Sequence, residues 1–207
     1  MGKFIVAAAL VLAGSVNAYA QDNNVKFLGE AAAIHENTDR SFVRPNIFYK
    51  ITGIDGYTFV EFYGDENYFG KNMLTKKIGK GFSAMSEIVV GSQTDNRISL
   101  GVKYSPPMPK GSTLSFKALP LWFDAKGRED RFIAGISGSV DLPWRFDFSG
   151  AFFEFNVRSH EVGYGELPIG VRLSEKLGIY YNMLLKKRKE GSMVPRAEHA
   201  AMLRYDF

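Results

Sequence analysis

The feature that most constrains this chain is an alternation of apolar and polar residues with a period of two, which recurs along most of its length. The C-terminal segment shows it most clearly. One face of that segment carries His199, Ala201, Leu203, Tyr205 and Phe207, and the other carries Glu198, Ala200, Met202, Arg204 and Asp206. Because successive side chains of a strand point to opposite faces, whereas a helix would scatter them at its 3.6-residue period, the pattern predicts β-strands.

Turn-forming residues divide these alternating segments into about twelve strands of about 9–12 residues, the length that crosses a bilayer at barrel tilt. Single-chain bacterial barrels have an even number of strands. If Met73–Ile78 and Thr113–Phe123 form loops, ten strands are also possible. We place the breaks at Glu36–Arg40, Thr52–Gly56, Gly64–Gly70, Gly79–Gly81, Ser92–Asn96, Ser105–Gly111, Asp124–Asp130, Leu142–Trp144, Asn156–His160, Ser174–Lys176 and Lys187–Pro195.

The first twenty residues have the layout of a secretory signal peptide. Lys3 precedes an apolar run over Phe4–Ala13, and Ala18-Tyr19-Ala20 offers small residues at a cleavage point. We expect a signal peptide over residues 1–20, cleaved near Ala20, and a barrel over residues 21–207. No apolar stretch after residue 20 reaches the roughly 20 residues of a membrane helix, so membrane insertion would require a closed barrel.

Composition excludes several classes of site. The chain has no cysteine, so a disulfide framework, cysteine-ligated zinc and a cysteine nucleophile are excluded. A formal net charge of +4 is too small to indicate a nucleic-acid partner. Aromatic residues make up 14% of the chain, and 21 glycines suit tight turns between strands. We expect no cofactor and no metal site.

Two soluble folds would also alternate with period two. A periplasmic β-sandwich and a lipocalin-like barrel both do so, but both have fewer strands than the sequence indicates. We therefore predict an all-β protein, an antiparallel transmembrane barrel of the bacterial outer membrane. Its partners would include membrane lipid and lipopolysaccharide.

In a membrane barrel the apolar face meets lipid and the polar face lines the interior. With Phe207 taken as lipid-facing, the inward set carries both charges, with an excess of basic residues. The predicted interior residues are Arg44, Lys50, Glu61, Glu87, Arg97, Lys103, Arg131, Asp141, Arg145, Asp147, Glu166, Arg172, Lys186 and Arg204, accompanied by Tyr57, Tyr63, Tyr164 and Tyr180.

This inward set predicts a channel for passive diffusion of small polar or anionic solutes, because rings of charged side chains select the solutes that pass. The alternative is that the charges pair with one another and fill the interior, which gives a structural barrel without a pore. A slip of one residue in any strand would reverse its inward and outward assignments.

Two kinds of resemblance support this interpretation. A last strand with Tyr205 and a terminal Phe207 resembles the C-terminal signature of bacterial outer-membrane barrels, which implies recognition by the assembly machinery. The segments Phe82–Glu87, Gly101–Tyr104, Pro109–Gly111 and Asp141–Phe153 resemble nucleoside-specific channels of the Tsx type. The chain is also similar in size and strand number to the oligogalacturonate-specific porins, whose lumens are basic. Both channel families imply uptake of small polar solutes.

A lipid-modifying hydrolase is the alternative from a different class. Such barrels use a serine and a histidine with an acidic or amide partner. This chain has three histidines, His35, His160 and His199, and Ser159-His160-Glu161 brings the three residue types together in sequence. Adjacent strand residues point to opposite faces, so sequence neighbours make poor catalytic partners. We therefore expect no enzymatic activity.

Overall fold

The computed structural model describes residues 25–36, 41–63, 67–92, 96–124, 132–142, 145–158, 161–186 and 196–206. The predicted signal peptide, Arg131, His160 and Phe207 lie outside these residues. Twelve strands are described: β1 Val25–Glu36, β2 Ser41–Ile51, β3 Ile54–Tyr63, β4 Tyr68–Gly79, β5 Phe82–Gly91, β6 Arg97–Tyr104, β7 Ser112–Asp124, β8 Ile133–Asp141, β9 Phe146–Asn156, β10 Glu161–Arg172, β11 Leu177–Lys186 and β12 Arg196–Asp206.

The strands form one closed antiparallel barrel. Each strand pairs with its neighbours in sequence, and β1 pairs with β12 to close the ring. The prediction of an all-β barrel of twelve strands is confirmed, and the ten-stranded alternative is wrong because Met73–Ile78 and Thr113–Phe123 lie in β4 and β7. In the described part of the chain, no helix is long and apolar enough to cross a bilayer.

Short turns join the strands at one end of the barrel, which we call the turn end. Only Thr52 and Gly53 connect β2 to β3, and both have positive φ, 45° and 80°. Positive φ at both central residues is the geometry of a type I′ turn, whose twist matches that of the flanking strands. The predicted break at Thr52–Gly56 is therefore too long, since β3 begins at Ile54. The predicted break at Gly64–Gly70 is also too long, since β4 begins at Tyr68.

The two faces of the sheet have reversed polarity compared with a soluble barrel. On the outer face, large apolar side chains are exposed, among them Leu121 at 55%, Phe123 at 56% and Phe146 at 53%. On the inner face, Arg44, Glu87 and Glu166 are at most 6% exposed. A soluble protein buries most of its apolar residues and exposes most of its charged ones. A barrel in lipid has the opposite arrangement, with apolar residues on the outside and charged residues inside.

Candidate functional site: the charged interior

Arg44 on β2 reaches across the interior to β10 and also contacts the adjacent strand β3. Its Nη1 donates to Glu166 Oε2 on β10 at 2.9 Å, and its Nη2 donates to Glu166 Oε1 and to Glu61 Oε1 on β3. Its guanidinium carbon Cζ also lies 5.1 Å from the centre of the Phe59 ring. A guanidinium can bind a carboxylate with two parallel hydrogen bonds, which fixes the geometry of the pair. We call Arg44, Glu61 and Glu166 the arginine bridge.

Polar side chains on both sides of the barrel support the arginine bridge. The Tyr164 hydroxyl donates to Glu166 Oε1, and the Asn182 amide donates to Glu166 Oε2 at 3.4 Å. On the other side, the Tyr63 hydroxyl donates to Glu61 Oε2. Buried polar groups are costly unless they are hydrogen-bonded. These supports hold each carboxylate on its own wall independently of Arg44.

A second network lies between β4, β5, β7 and β9. Lys71 Nζ donates to Glu154 Oε1 at 2.6 Å and lies 3.6 Å from Glu87 Oε1. Lys117 Nζ donates to both Glu87 Oε2 and Glu154 Oε1. β4 and β9 are far apart around the ring, so the Lys71–Glu154 pair also crosses the interior. We call Lys71, Glu87, Lys117 and Glu154 the lysine–glutamate quartet.

Apolar side chains fill the interior beside these networks. One cluster of buried residues lies on β2, β11 and β12, and another lies on β5, β7 and β8. Leu119 and Leu184 are fully buried although they lie on the inner face. The interior is therefore narrow at the level of the two networks. The clusters consist of Phe42, Tyr180, Leu184, Ala200 and Met202, and of Met85, Leu119 and Ile133.

A third group of charges lies at the turn end. Arg172 Nε donates to Asp147 Oδ2 at 3.0 Å, and the Tyr180 hydroxyl donates to the same oxygen at 2.6 Å. Arg204 Nε donates to Asp206 Oδ1 at 3.1 Å, and Arg172 Nη1 lies 3.5 Å from Asp206 Oδ2. The Arg172 side chain is 40% exposed and accessible to solvent from the turn end, whereas Asp147 and Tyr180 are buried.

The remaining predicted interior residues lie nearer the rims. Lys50 forms an exposed pair with Asp55 at 3.4 Å. Arg97 lies over the Trp122 ring, 4.7 Å from its centre. Lys103 is in β6 and partly buried. Arg145 differs from the other residues because it lies in the turn before β9, exposed and with a φ of 67°, so it is not on a strand wall.

The sequence prediction missed Lys71, Lys117 and Glu154. Lys71 and Lys117 were overlooked because their strands carry weak alternation. Glu154 was missed because strict alternation from the inward Asp147 would put it on the outer face. The register of β9 against β8 shifts by one residue, and Gly150 between these carboxylates has a φ of 78°. A glycine inside a strand pattern is a known signal of a bulge, and it could have revealed the change of face.

The expected excess of basic residues is not found on the described inner face. Acidic residues omitted from the prediction also point inward by register and nearly balance the basic ones. They are Asp55, Asp124, Glu154, Glu198 and Asp206. Both networks contain at least as many carboxylates as cations. The interior is therefore strongly charged but close to neutral.

The described residues contain no assembled hydrolase or metal site. His199 is exposed on the outer face, where its Nδ1 contacts the Tyr181 hydroxyl. Ser159 and His160 lie outside the described residues. Within the described ranges, no group of three or more histidine or acidic side chains could hold a metal ion.

Comparison with solved structures identifies porins of the same architecture. The KdgM porin, solved in complex with disordered oligogalacturonate, has a TM-score of 0.59 and 10% identity, over 88% of this chain and 99% of that one. The NanC porin has a TM-score of 0.56 and 9% identity, over 86% of this chain and 98% of that one. No protein-family model and no curated protein sequence matches the chain.

These similarities concern the fold. At about 10% identity they show that the chain shares the β-barrel fold of these porins over nearly its whole described length. The predicted similarity to the oligogalacturonate-specific porins is confirmed at that level. The resemblance to nucleoside-specific channels stays a prediction. By its architecture, the chain is a porin-like β-barrel with a charged interior.

Proposed function

We propose that this chain is an outer-membrane channel through which small polar solutes, anions among them, diffuse passively. This proposal rests on one observation: charged side chains from opposite walls of the barrel meet in its interior. Well-packed apolar residues fill a protein interior at least as stably as buried ion pairs do. Charge retained in the interior therefore favours a path used by polar solutes, with the two networks as its constriction.

The outer surface supports the membrane location. Its exposed apolar residues extend around the barrel and would be a liability in water. The proposed partners are accordingly membrane lipid, lipopolysaccharide, and the assembly machinery that would recognise the last strand. In that strand Tyr205 is on the outer face and 37% exposed. Export through a signal peptide over residues 1–20 belongs to the same proposal.

The charged and partly filled interior supports a proposal about the size and charge of the solutes. The KdgM porin was solved with oligogalacturonate, an acidic sugar chain, in a barrel of similar fold. In this chain the interior is crossed by side chains and is nearly neutral, so we propose small solutes and weak charge selectivity. The half-exposed Arg172 at the turn end suits polar molecules that present acidic groups.

A structural barrel without a pore is the second candidate. The fully buried Leu119 and Leu184 on the inner face favour it, because they fill the space beside the charged networks. In this alternative the ion pairs would only satisfy one another. The two candidates differ in one measurable property, the passage of ions.

Single-channel conductance of the refolded barrel, residues 21–207, in a planar bilayer tests the proposal. We expect small discrete steps and a reversal potential near zero in a salt gradient, because the interior is nearly neutral. Arg97→Glu should shift the reversal potential toward cations, since Arg97 lies on the inner face of β6. The strand pairing places Lys76 on the outer face, so Lys76→Glu makes the same charge change there and should leave the reversal potential unchanged. A folded and inserted barrel without conductance would support the structural candidate.

A further inference from the structure

Glu154 differs from the other carboxylates of the two networks because none of its described partners lies on its own strand or on an adjacent one, whereas Glu87 contacts Lys71 on the adjacent β4. Its described contacts are with Lys71 on β4 and Lys117 on β7, and both reach it from other strands. In contrast, Glu166 also accepts hydrogen bonds from Tyr164 on its own strand and from Asn182 on the neighbouring strand. Among the described contacts, Glu154 has no such support from its own wall.

The two lysines do not depend on Glu154 alone. Each of them also contacts Glu87: Lys71 at 3.6 Å, and Lys117 by a direct hydrogen bond. Glu87 is fully buried, on β5 between the strands that carry the lysines. If the Glu154 side chain withdraws toward β9, both ammonium groups keep a carboxylate partner. The cross-barrel contact can therefore break without leaving a lysine unpaired, and the withdrawn Glu154 carboxylate would need water from the widened interior in place of the lysines.

Withdrawal of Glu154 would change two properties of the constriction. The interior would widen between β4 and β9, where the Lys71–Glu154 pair now closes it. The local charge would change as well, because two lysines and one glutamate remain where two of each now balance. A net positive constriction favours anions over cations.

We propose that Glu154 controls the width and the ion preference of the interior, as the single releasable contact between β9 and the lysines of β4 and β7. This inference rests on the proposed channel function and names its control element. The arginine bridge, supported on both walls, is the fixed side of the constriction.

Planar-bilayer recordings of two Glu154 variants and a matched control test this inference. Glu154→Gln removes the charge that holds both lysines, so we expect roughly a twofold or larger increase in conductance and a reversal potential shifted toward anions. Glu154→Asp keeps the charge but shortens the reach, so it should raise the conductance and shift the ion preference toward anions less than Glu154→Gln does. Glu175→Gln makes the same substitution in the exposed turn between β10 and β11 and should do neither.

Folding of each variant is checked by heat-modifiable migration on a gel, and Glu154→Asp decides the question if Glu154→Gln does not fold. A silent wild type with a conducting Glu154 variant supports the inference and shows that this contact closes the barrel. A conducting wild type whose Glu154 variants match it overturns the inference and leaves the channel function standing. If none of the folded proteins conducts ions, both this inference and the proposed channel function are overturned.

Discussion

At the scale of single residues, the arginine bridge shows why the type of cation matters. Arg44 is 6% exposed and contacts two carboxylates at once, with both terminal nitrogens on Glu166. Only a planar guanidinium presents donors in that fork, whereas an ammonium is a single point of charge. The lysine–glutamate quartet uses point charges, and each lysine shares two carboxylates. The arginine bridge therefore requires the planar geometry of a guanidinium, whereas the lysine–glutamate quartet requires mainly opposite charges.

Arg44→Ala should destabilise the barrel strongly. Loss of the guanidinium leaves Glu61 and Glu166 buried without their cation, and breaking a buried pair typically costs about 3–5 kcal/mol. Urea unfolding of the barrel in lipid vesicles measures the change in unfolding free energy. Lys50→Ala is the matched control, since its exposed pair with Asp55 should contribute less than about 1 kcal/mol. Equal effects of the two substitutions would show that the bridge does not stabilise the barrel.

The sequence predicted the inward position of Arg44, Glu61 and Glu166 but not their contact. Alternation within a strand determines which face a residue occupies, and this holds for each strand separately. The contact joins residues 122 positions apart on strands that are not neighbours, and it depends on how the barrel closes. A single sequence carries no signal for that closure.

At the scale of elements, β9 contains the irregularity that places the quartet. Asp147 and Glu154 both point inward although they are an odd number of residues apart. The extra residue near Gly150 shifts the pairing with both β8 and β10. A bulge of this kind reverses the faces along the rest of the strand.

Deleting Gly150 should therefore impair folding. Without the extra residue, either Asp147 or Glu154 would face the bilayer, and a charged side chain on the lipid face is unfavourable. Gly150→Ala keeps the residue count but places a Cβ at a φ of 78°, which costs roughly 1–2 kcal/mol. Gly163→Ala is the control, because its added Cβ would make only an ordinary contact at 3.5 Å. The yield of heat-modifiable barrel measures folding, and the midpoint of urea unfolding measures stability. A Gly150 deletion variant with wild-type values of both would refute the prediction.

Strand number and most turn positions were predicted from the sequence, whereas the bulge in β9 was missed although Gly150 is a signal for it. Alternation and turn residues gave twelve strands, with errors of a few residues at Thr52–Gly56 and Gly64–Gly70. Bulges interrupt the alternation on which the prediction depends. Lys71 and Lys117 were missed for a related reason, because β4 and β7 mix apolar and polar residues on both faces.

At the scale of the whole molecule, the sheet separates two environments. The outer face exposes apolar side chains, and the inner face carries charges that pair across the barrel. Porins with known structures share the fold over nearly the whole described chain. The function proposed above depends on this arrangement, because a barrel can conduct polar solutes across a membrane only if its outer face meets lipid and its interior is polar.

A spin-label scan along β8 in vesicles tests this arrangement. The chain has no cysteine, so single cysteines can be introduced and labelled one at a time. Labels at Ile136 and Val140 should be accessible to oxygen dissolved in the bilayer, while labels at Ser137 and Ser139 should be protected from it. Oxygen accessibility that alternates in this way along β8 would confirm a membrane barrel with its polar face inside. Alternation in the opposite phase, or no access of oxygen to Ile136 and Val140, would contradict it.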